Sequence, residues 1–563
     1  MSTAKRIYQS LLKHKVKDVF MYSGGSIMPL VDQFYKGPIN YYINANEQCS
    51  GYSATGYAKS SNKTGVAITT SGPGLTNIVT AIQDAQSDST PLVVLSGQVS
   101  TNVMGTNAFQ ECPATDITKA ITKWNYCITD PYEVEYVMDK AFFIANDKKR
   151  GAVHIDLPKS VLGLECSLQK KFIPEIDLIY NSQRSLEDII KVINNAERPV
   201  VIVGKGARDE YKLIRRLISD ANLPVTTTLH AVGTVDERHP LSLKFLGMHG
   251  SPTANYAVQY SDCILAIGSR FDDRTIGNVK EYAPDAKIIH VNCEKSEINK
   301  VIKSDYCRHE TSYDFLTKIL ISDKLLFKPR EAWFKRINQW KTDYPFAYAY
   351  STNKLQTSDV ISTFNKYIDH NNTYITTGVG NHQMLAAQLI DYKYPGRYIT
   401  SGSLGVMGTG LPYAIGVQIA NPRSIVINID GDGSFNHTSS DLQTIVRYKL
   451  PVKIAIMDDG QQSMVRIWEK LFFNERYTAT ANPNNPDYVK LGESFGIMGI
   501  YCDNKEDLNN SVRDFLCYKG PVIGHFKVES GMCFPLVPPG KRLDQMLINP
   551  QDKLMDLSNE APS

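Results

Sequence analysis

The stretch Ile429–Val465, IDGDGSFNHTSSDLQTIVRYKLPVKIAIMDDGQQSMV, decides how this chain is read. Ser424–Ile429 is a short apolar, β-branched run that predicts a buried strand. Gly431-Asp432-Gly433 reads as the breaker after it. Thr438 and Asp441 have the spacing of a capping box, and Leu442, Ile445 and Val446 give the apolar stripe of a helix. Val452–Met457 predicts a second strand, ending at Asp458-Asp459-Gly460. A right-handed βαβ unit puts both acidic turns at the carboxyl edge of one parallel sheet, where open α/β folds bind ligands. Asp432 and Asp459 can then converge on one divalent cation. Two hard oxygen ligands, with room left for phosphate, suit Mg²⁺.

Beyond that unit, three segments repeat the alternation of short β-rich runs with helical stretches. The first holds Tyr41–Asn44, Val66–Thr70, Pro91–Gly97 and Val153–Leu157. The second holds Pro199–Gly204, Leu223–Thr228, Cys263–Gly268 and Lys287–Asn292. The third holds Thr373–Thr377, Ser424–Ile429, Val452–Met457 and Pro521–Val528. The pattern predicts an α/β protein of three doubly wound parallel-sheet domains, over 1–165, 186–330 and 355–540. Segments 166–185 and 326–354 read as linkers, and 541–563 as a polar C-terminal tail. No short internal repeat stands out.

Composition narrows the function. The 563 residues are 42% hydrophobic and 21% charged, as in a globular enzyme. A net charge of +3 without a basic stripe argues against nucleic acid, and no apolar run approaches a membrane span. The ten cysteines have no CxxC or framework spacing, and the amino terminus lacks a signal-peptide core. A cytoplasmic location is expected.

Glu47 follows a strand and precedes a helix-like run containing Gly51, Ala54 and Gly56. Alone, an acid there needs only the helix dipole. Thr70–Gly74 (TSGPG) and Gly105–Glu111 (GTNAFQE) follow it in order. These segments, with the GDG unit, resemble the thiamine diphosphate (ThDP) enzymes, and within them the acetolactate synthase family. There the segments read TSGPG and GTDAFQE. Further on, Met464–Phe473 (MVRIWEKLFF) resembles that family's GMVTQWQxLFY. Leu246–Gly250 (LGMHG) and Arg270–Arg274 (RFDDR) match its FAD-containing biosynthetic branch. The resemblance covers residues 5–545.

The resemblance implies a pyrimidine-binding first domain, a central domain of the FAD-binding type and a diphosphate-binding third domain. It implies decarboxylation of pyruvate and transfer of the hydroxyethyl unit to a second 2-keto acid, pyruvate or 2-oxobutyrate, as in branched-chain amino acid biosynthesis. Glu47 becomes the catalytic carboxylate that tunes the cofactor's own base, with Gln110 polarising the acceptor carbonyl and Met464 bending the cofactor. Phe109, Lys159, Arg274, Val465 and Trp468 become substrate contacts. Ser71, Gly72, Gly380, Asn381, His382, Gly405, Met407, Gly431, Gly433 and Ser434 become ThDP contacts. Gly204, Gly206, Met248, His249, Gly250, Arg270, Arg274 and Asp305 become FAD contacts. Gln461 supplies a carbonyl to the Mg²⁺ held by Asp432 and Asp459. The active sites lie between the chains of a homodimer or tetramer, and a small regulatory subunit is a possible partner.

The chain also departs from the family. Asp458-Asp459-Gly460-Gln461 stands where Asn-Asn-Glu-Glu is usual. Asp459 then sits near Asp432 and the diphosphate, where a like-charge contact can cost up to about 4 kcal/mol. Weaker cofactor retention is therefore expected. Asn381 replaces a Gln, Asn292 an acid and Lys149-Arg150-Gly151 an Arg-Pro-Gly. The alternatives are another ThDP enzyme, of the pyruvate oxidase type, or a catalytically silent paralogue. Glu47 argues against a glyoxylate carboligase, and Trp468 with RFDDR against an oxidase.

Overall fold

The computed structural model describes residues 1–174, 185–346, 353–531, 533–549 and 552. It contains three six-stranded sheets, all parallel. The first is built from β1 (Asp18–Met21), β2 (Asn40–Ile43), β3 (Gly65–Thr69), β4 (Leu92–Gln98), β5 (Trp124–Cys127) and β6 (Ala152–Pro158). The second contains β7 (Pro199–Val203), β8 (Val225–Thr227), β9 (Ser242–Phe245), β10 (Cys263–Ile267), β11 (Lys287–Asn292) and β12 (Tyr306–His309). The third contains β13 (Thr373–Thr377), β14 (Tyr398–Ile399), β15 (Ile425–Gly431), β16 (Lys453–Asp458), β17 (Met498–Cys502) and β18 (Val522–Lys527).

The strand orders are β2-β1-β3-β4-β6-β5, β12-β11-β10-β7-β8-β9 and β14-β13-β15-β16-β18-β17. The first and third sheets therefore share one topology, although no short sequence repeat announces it. Central strands such as GVAIT (β3), LVVLSGQ (β4), PVVIV (β7) and CILAI (β10) are buried at every position. That is the signature of a parallel sheet covered on both faces by helices. The winding reverses between β1 and β3, between β7 and β10, and between β13 and β15; the first and third sheets reverse once more at the far edge, where β6 returns between β4 and β5 and β18 between β16 and β17. Such switch points open a crevice at the carboxyl ends of the strands.

Two buried helices, Glu47–Ser61 and Gly410–Ala420, join the first domain to the third. They cross where a side chain would not fit. A Cβ at Gly416 would lie 1.9 Å from Ser53 O, and one at Gly56 would lie 2.5 Å from Tyr413 O. Ser53 Oγ also donates to Pro412 O at 3.0 Å.

Several expectations need correction. GDG does not end the third-domain unit's first element, because β15 runs through Gly431 and the helix Asp432–Asn436 starts at once. Thr438 does not cap the following turn; its hydroxyl donates to Gly408 O at 2.8 Å. Asp441 reaches the first domain instead, accepting from Ala45 N and Asn44 Nδ2, both at 2.9 Å. The expected linker 326–354 contains the helix Glu331–Asp343, whose Trp333, Ile337 and Trp340 pack into the second domain's core. Trp333 Nε1 donates to Pro199 O at 3.2 Å, which anchors the helix on β7. Residues 347–352 of that segment, and 175–184 of the other expected linker, lie outside the described residues. The start of the expected tail is also packed, with Leu543 and Leu547 buried and Lys541 O accepting from Asn278 N at 2.9 Å. Residues 550, 551 and 553–563 lie outside the described residues. Among the described residues no helix is long and apolar enough to cross a membrane.

Glu237 joins the second domain to the third. Its Oε2 accepts from Tyr392 N at 3.1 Å, whereas Oε1 is buried without a partner. Burial pushes the carboxyl from 4.5 up to about 8, outweighing the nearby Lys244 charge. The folded protein then holds a proton that the unfolded chain releases, so this group's contribution is complete at low pH and is lost as pH rises toward 8. In Glu237→Gln the melting temperature, relative to the unmodified protein, should climb as pH rises from 4.5 to about 8 and level off above it. A pH-independent difference would contradict the assignment.

Candidate functional site

The carboxyl edge of the third sheet gathers the acidic turns. Asp432 is almost fully buried at the start of its short helix, and its Oδ2 accepts from Asn485 Nδ2 at 2.7 Å and Asn482 Nδ2 at 3.2 Å. Across the switch, β13 ends at Gly378–Gly380, where a Cβ at Gly378 would lie 2.0 Å from Asp430 Oδ1 and from Ser434 Oγ. Ser434 Oγ accepts from Gly408 N at 2.9 Å. A Cβ at Gly433 would lie 3.5 Å from Met407 Cε, and one at Gly431 would lie 2.8 Å from His382 Nδ1. The expected cradle residues are thus brought together around one backbone hollow.

Asp459 faces a different environment from Asp458. Its carboxylate accepts from Ser463 Oγ and, at 3.1 Å, from Gln461 N. Burial and the Asp432 charge push it up to about 6. Burial also raises Asp432. Two carboxylates that both favour a proton form a site that gains by taking up a cation.

In the first sheet, Glu47 opens its helix behind the N-cap Asn46, whose side chain accepts from Cys49 N at 2.8 Å. The buried Glu47 carboxylate accepts from Asn77 Nδ2 at 3.0 Å. A Cβ at Gly74 would lie 3.6 Å from its Oε1, so the TSGPG turn leaves Glu47 a narrow, unobstructed face. Ser71 N donates to Ser26 Oγ at 3.0 Å and fixes that turn. At Gly72 φ is +55°, and a Cβ would lie 2.8 Å from Gln110 O. The two segments that the sequence set apart therefore lie against each other. Glu111 shapes the second one by accepting from Gly105 N and from Ala108 N, and these bonds lower its carboxyl. They leave Phe109 89% exposed. Lys159, after β6, is exposed at the same edge.

A cavity of about 870 Å³ lies where the three domains meet. The second domain lines it with Gly204, Gly206, Met248, His249, Arg270 and Arg274. Gly380, Gly405, Met464 and Trp468 enter from the third domain, and Lys149 and Arg150 from the first. The Gly204–Gly206 turn is tight because a Cβ at Gly204 would lie 2.1 Å from Gly268 O. Arg270 spans the junction, donating to Ser87 O and to Ser403 Oγ, both at 2.9 Å. Arg274 donates to Met248 Sδ at 3.0 Å; its 3.6 Å pair with Asp273 is largely exposed and energetically small. His249 is pushed down to about 4 by burial and is therefore a neutral imidazole near neutral pH.

Two expected FAD contacts are not among this cavity's lining residues. Asp305 accepts from Ile288 N at 2.8 Å, at the amino end of β11 and not among the cavity's lining residues. Gly250 serves the turn itself, since a Cβ there would lie 2.4 Å from Leu246 C. Nor does this cavity include Val465, which is 49% exposed, or the first-domain residues Glu47, Ser71, Gly72, Phe109, Gln110 and Lys159.

Comparison with known proteins agrees with this three-part architecture. Residues 1–119 match the thiamine pyrophosphate enzyme N-terminal TPP binding domain, 186–319 the central domain, and 378–526 the C-terminal TPP binding domain. The chain is 38% identical to the acetolactate synthase catalytic subunit, mitochondrial, of Saccharomyces cerevisiae, over 97% of this chain and 83% of that one. It is 38% identical to the acetolactate synthase large subunit of Cyanidium caldarium, over 95% of each. The chain belongs to the thiamine pyrophosphate enzyme family. A further relative, the probable acetolactate synthase large subunit of Methanocaldococcus jannaschii, is 35% identical over 97% of this chain and 95% of that one.

For a thiamine pyrophosphate enzyme, the polar groups left over in the third domain are informative. His382 Nε2, Asn381 Oδ1 and Gln461 Oε1 are buried without hydrogen-bond partners. Unpaired buried polar atoms are costly; His382 borders the Gly431 hollow, and Gln461 adjoins Asp459. An imidazole N–H can meet a diphosphate there, and the carboxylates with an amide oxygen suit a hard cation. Aspartate at position 459 remains a competent ligand for such a cation.

Sequence reasoning missed a buried ion cluster at the cavity wall. Asp88 accepts from Lys59 Nζ at 2.7 Å, His230 Nε2 at 2.9 Å, Ser403 N at 2.8 Å and Gly402 N at 3.2 Å. Lys59 Nζ also donates to Thr400 O at 2.7 Å, and Ser401 Oγ to Asp84 Oδ1 at 2.5 Å. Burial opposes the Asp88 charge, but His230 and Lys59 outweigh it and hold the carboxyl well below its usual range. His230 is itself lowered by burial, so we assign Lys59 as the lasting counter-charge and His230 as a neutral donor. In sequence, Ser87-Asp88-Ser89 has the composition of an ordinary solvated turn, and nothing in it signals a junction.

The unequal settings of the acidic pair give a test. Asp459→Asn should bind ThDP with Mg²⁺ more tightly than the unmodified chain, by about tenfold or less, because it removes a charge beside Asp432 and the diphosphate. Isothermal titration measures this, and equal or weaker binding would contradict the charge argument.

Proposed function

We propose that the chain is an acetolactate synthase catalytic subunit, which decarboxylates pyruvate and joins the hydroxyethyl unit to a second 2-keto acid, pyruvate or 2-oxobutyrate. One observation carries the reading to this reaction: Met464, Trp468 and Arg274 converge on a single cavity from the third and second domains. An apolar wedge, an aromatic wall and a guanidinium are the groups needed to sort and orient a small keto acid. The full-length likeness to proteins named acetolactate synthase supports it independently.

When bound, thiamine diphosphate supplies the nucleophilic carbon and the electron sink that decarboxylation requires. Asp432, Asp459 and the Gln461 carbonyl would hold Mg²⁺. Ser71 and Gly72 would border the pyrimidine half, and Gly380, Asn381, His382, Gly405, Met407, Gly431, Gly433 and Ser434 would seat the diphosphate half. Glu47, positioned by Asn77, would hold the proton that tunes the bound cofactor's own base. Gln110 polarises the acceptor carbonyl from a loop held in shape by Glu111. Met464 would pack against the bound cofactor as an apolar wedge, while Phe109, Val465 and Trp468 would exclude water around the acceptor. Lys159 and Arg274 pair with carboxylates.

FAD fits the three-domain cavity, where Gly204, Gly206, Met248, His249, Arg270 and Arg274 would hold it; no net oxidation in the proposed reaction requires it. We propose a homodimer or tetramer, supported by the placement of Glu47 and Gln110 outside the cavity that Met464 and Trp468 line. A small regulatory subunit is the proposed partner by analogy with relatives named large subunits. All ten cysteines are free, which supports a reducing compartment and a cytoplasmic location. The proposed domain bounds are 1–165, 186–330 and 355–540.

The test is acetolactate formation from pyruvate with ThDP and Mg²⁺, with FAD present or omitted. Product is expected, and Glu47→Gln should lower its rate by about 10²-fold or more. A folded protein that binds ThDP yet forms no product would make it catalytically silent and overturn the proposal.

A further inference from the structure

The two aspartates of the metal turn differ in their company. Asp458 ends β16 directly opposite Lys527 on β18. Its Oδ2 accepts from His525 Nε2 at 2.9 Å and Lys527 Nζ at 3.0 Å, and its Oδ1 from Asn485 Nδ2 at 2.9 Å. The same Asn485 amide donates to Asp432 Oδ2 at 2.7 Å. His525 is wedged edge-on between Tyr488 and Tyr501, with ring centroids 5.1 and 5.2 Å away. Asp459, by contrast, accepts from the uncharged donors Ser463 and Gln461.

We propose that Lys527, braced by His525, is the counter-charge that allows an aspartate at position 458, and that Asp458 through Asn485 orients the Asp432 carboxylate for the cation. Lys527 and His525 are positioning residues in this account. The Lys527–Asp458 pair is neutral as a unit, so the diphosphate meets the surplus charge of Asp459 alone. An amide at 458 would not need a cation on β18. An aspartate does, because it shares the Asn485 amide with Asp432 and adjoins Asp459 in the chain, and would otherwise add to their repulsion. Asn485 turns the pair into an alignment device: its two N–H groups fix the distance between the Asp458 and Asp432 carboxylates, which locks one Asp432 oxygen. This inference rests on the proposed function only for the identity of the bound ligand, ThDP with Mg²⁺.

The experiment is a double-mutant cycle of Asp458→Asn, Lys527→Gln and the pair, with Lys527→Arg as the conservative control. Each protein is measured twice: its melting temperature without cofactor, and its ThDP dissociation constant at saturating Mg²⁺. Lys527→Gln should weaken ThDP binding about threefold or more, Lys527→Arg should preserve it, and adding Asp458→Asn to Lys527→Gln should restore it. Binding unchanged in Lys527→Gln would overturn the proposal, as would a double variant as weak as Lys527→Gln alone. A lower melting temperature with unchanged binding would make Lys527 merely structural and also overturn it. If the unmodified chain binds no ThDP, the proposed function fails separately. The melting temperatures then decide: non-additive substitutions support the counter-charge, and additive ones overturn it.

Discussion

The buried Asp88 carboxylate is the constraint on which the arrangement of this molecule depends. It belongs to the first domain, yet it accepts from His230 of the second and from the Gly402 and Ser403 amides of the third. Lys59 ties the same point to Thr400. Surface ion pairs are worth at most about 1 kcal/mol, but removing one partner of a buried pair costs about 3–5 kcal/mol, because the other charge stays behind uncompensated. The geometry leaves little slack, since a Cβ at Gly402 would lie 2.3 Å from His230 Nε2. The three sheets are thereby fixed in one mutual orientation. The large cavity beside Asp88 exists because of that orientation.

The same constraint governs how the two ThDP half-sites are presented. The first and third sheets have one topology and meet through paired helices crossing at Gly56 and Gly416. Each sheet offers a switch-point crevice: Glu47 with the TSGPG turn in one, Asp432 with the Gly378–Gly380 turn in the other. Within a chain, the first domain also meets the third at Asn44, Ala45 and Asp441 and at the glycine crossing. Glu47 itself is bonded to Asn77 of its own domain. The proposed dimer brings the crevice of one chain against that of another.

Much of this was readable from the sequence because a parallel sheet buried on both faces demands continuous β-branched runs. Val66–Thr70, Cys263–Gly268 and Val452–Met457 are such runs, and each forms a central strand. The unrecognised strands β5, β9, β12, β14 and β17 are all sheet edges. Half-exposed edges carry mixed sequences such as WNYC and MGIYC, which lack that signal. β1 escaped for a different reason: DVFM is buried but too short to stand out. The helix Glu331–Asp343 was taken for a linker because its buried face rests on two tryptophans spaced among charged residues. Motif glycines are legible because backbone geometry demands them, as at Gly72, Gly204 and Gly378, where a Cβ would not fit. Long-range polar partners were not, because Asp88–His230, Asp458–Lys527 and Asp305–Ile288 depend on the folded chain and leave no local pattern.

The central claim is that catalysis needs Glu47 from one chain and Asp432 from another. Coexpression of Glu47→Gln and Asp432→Asn chains under two affinity tags, followed by isolation of dimers carrying both tags, tests it most directly. Each variant alone should be inactive. The mixed dimer should regain about half the activity of the unmodified dimer, because one of its two sites then receives both intact residues. Mixed dimers that form but remain as inactive as their parents would contradict the account and place both residues in one chain's site.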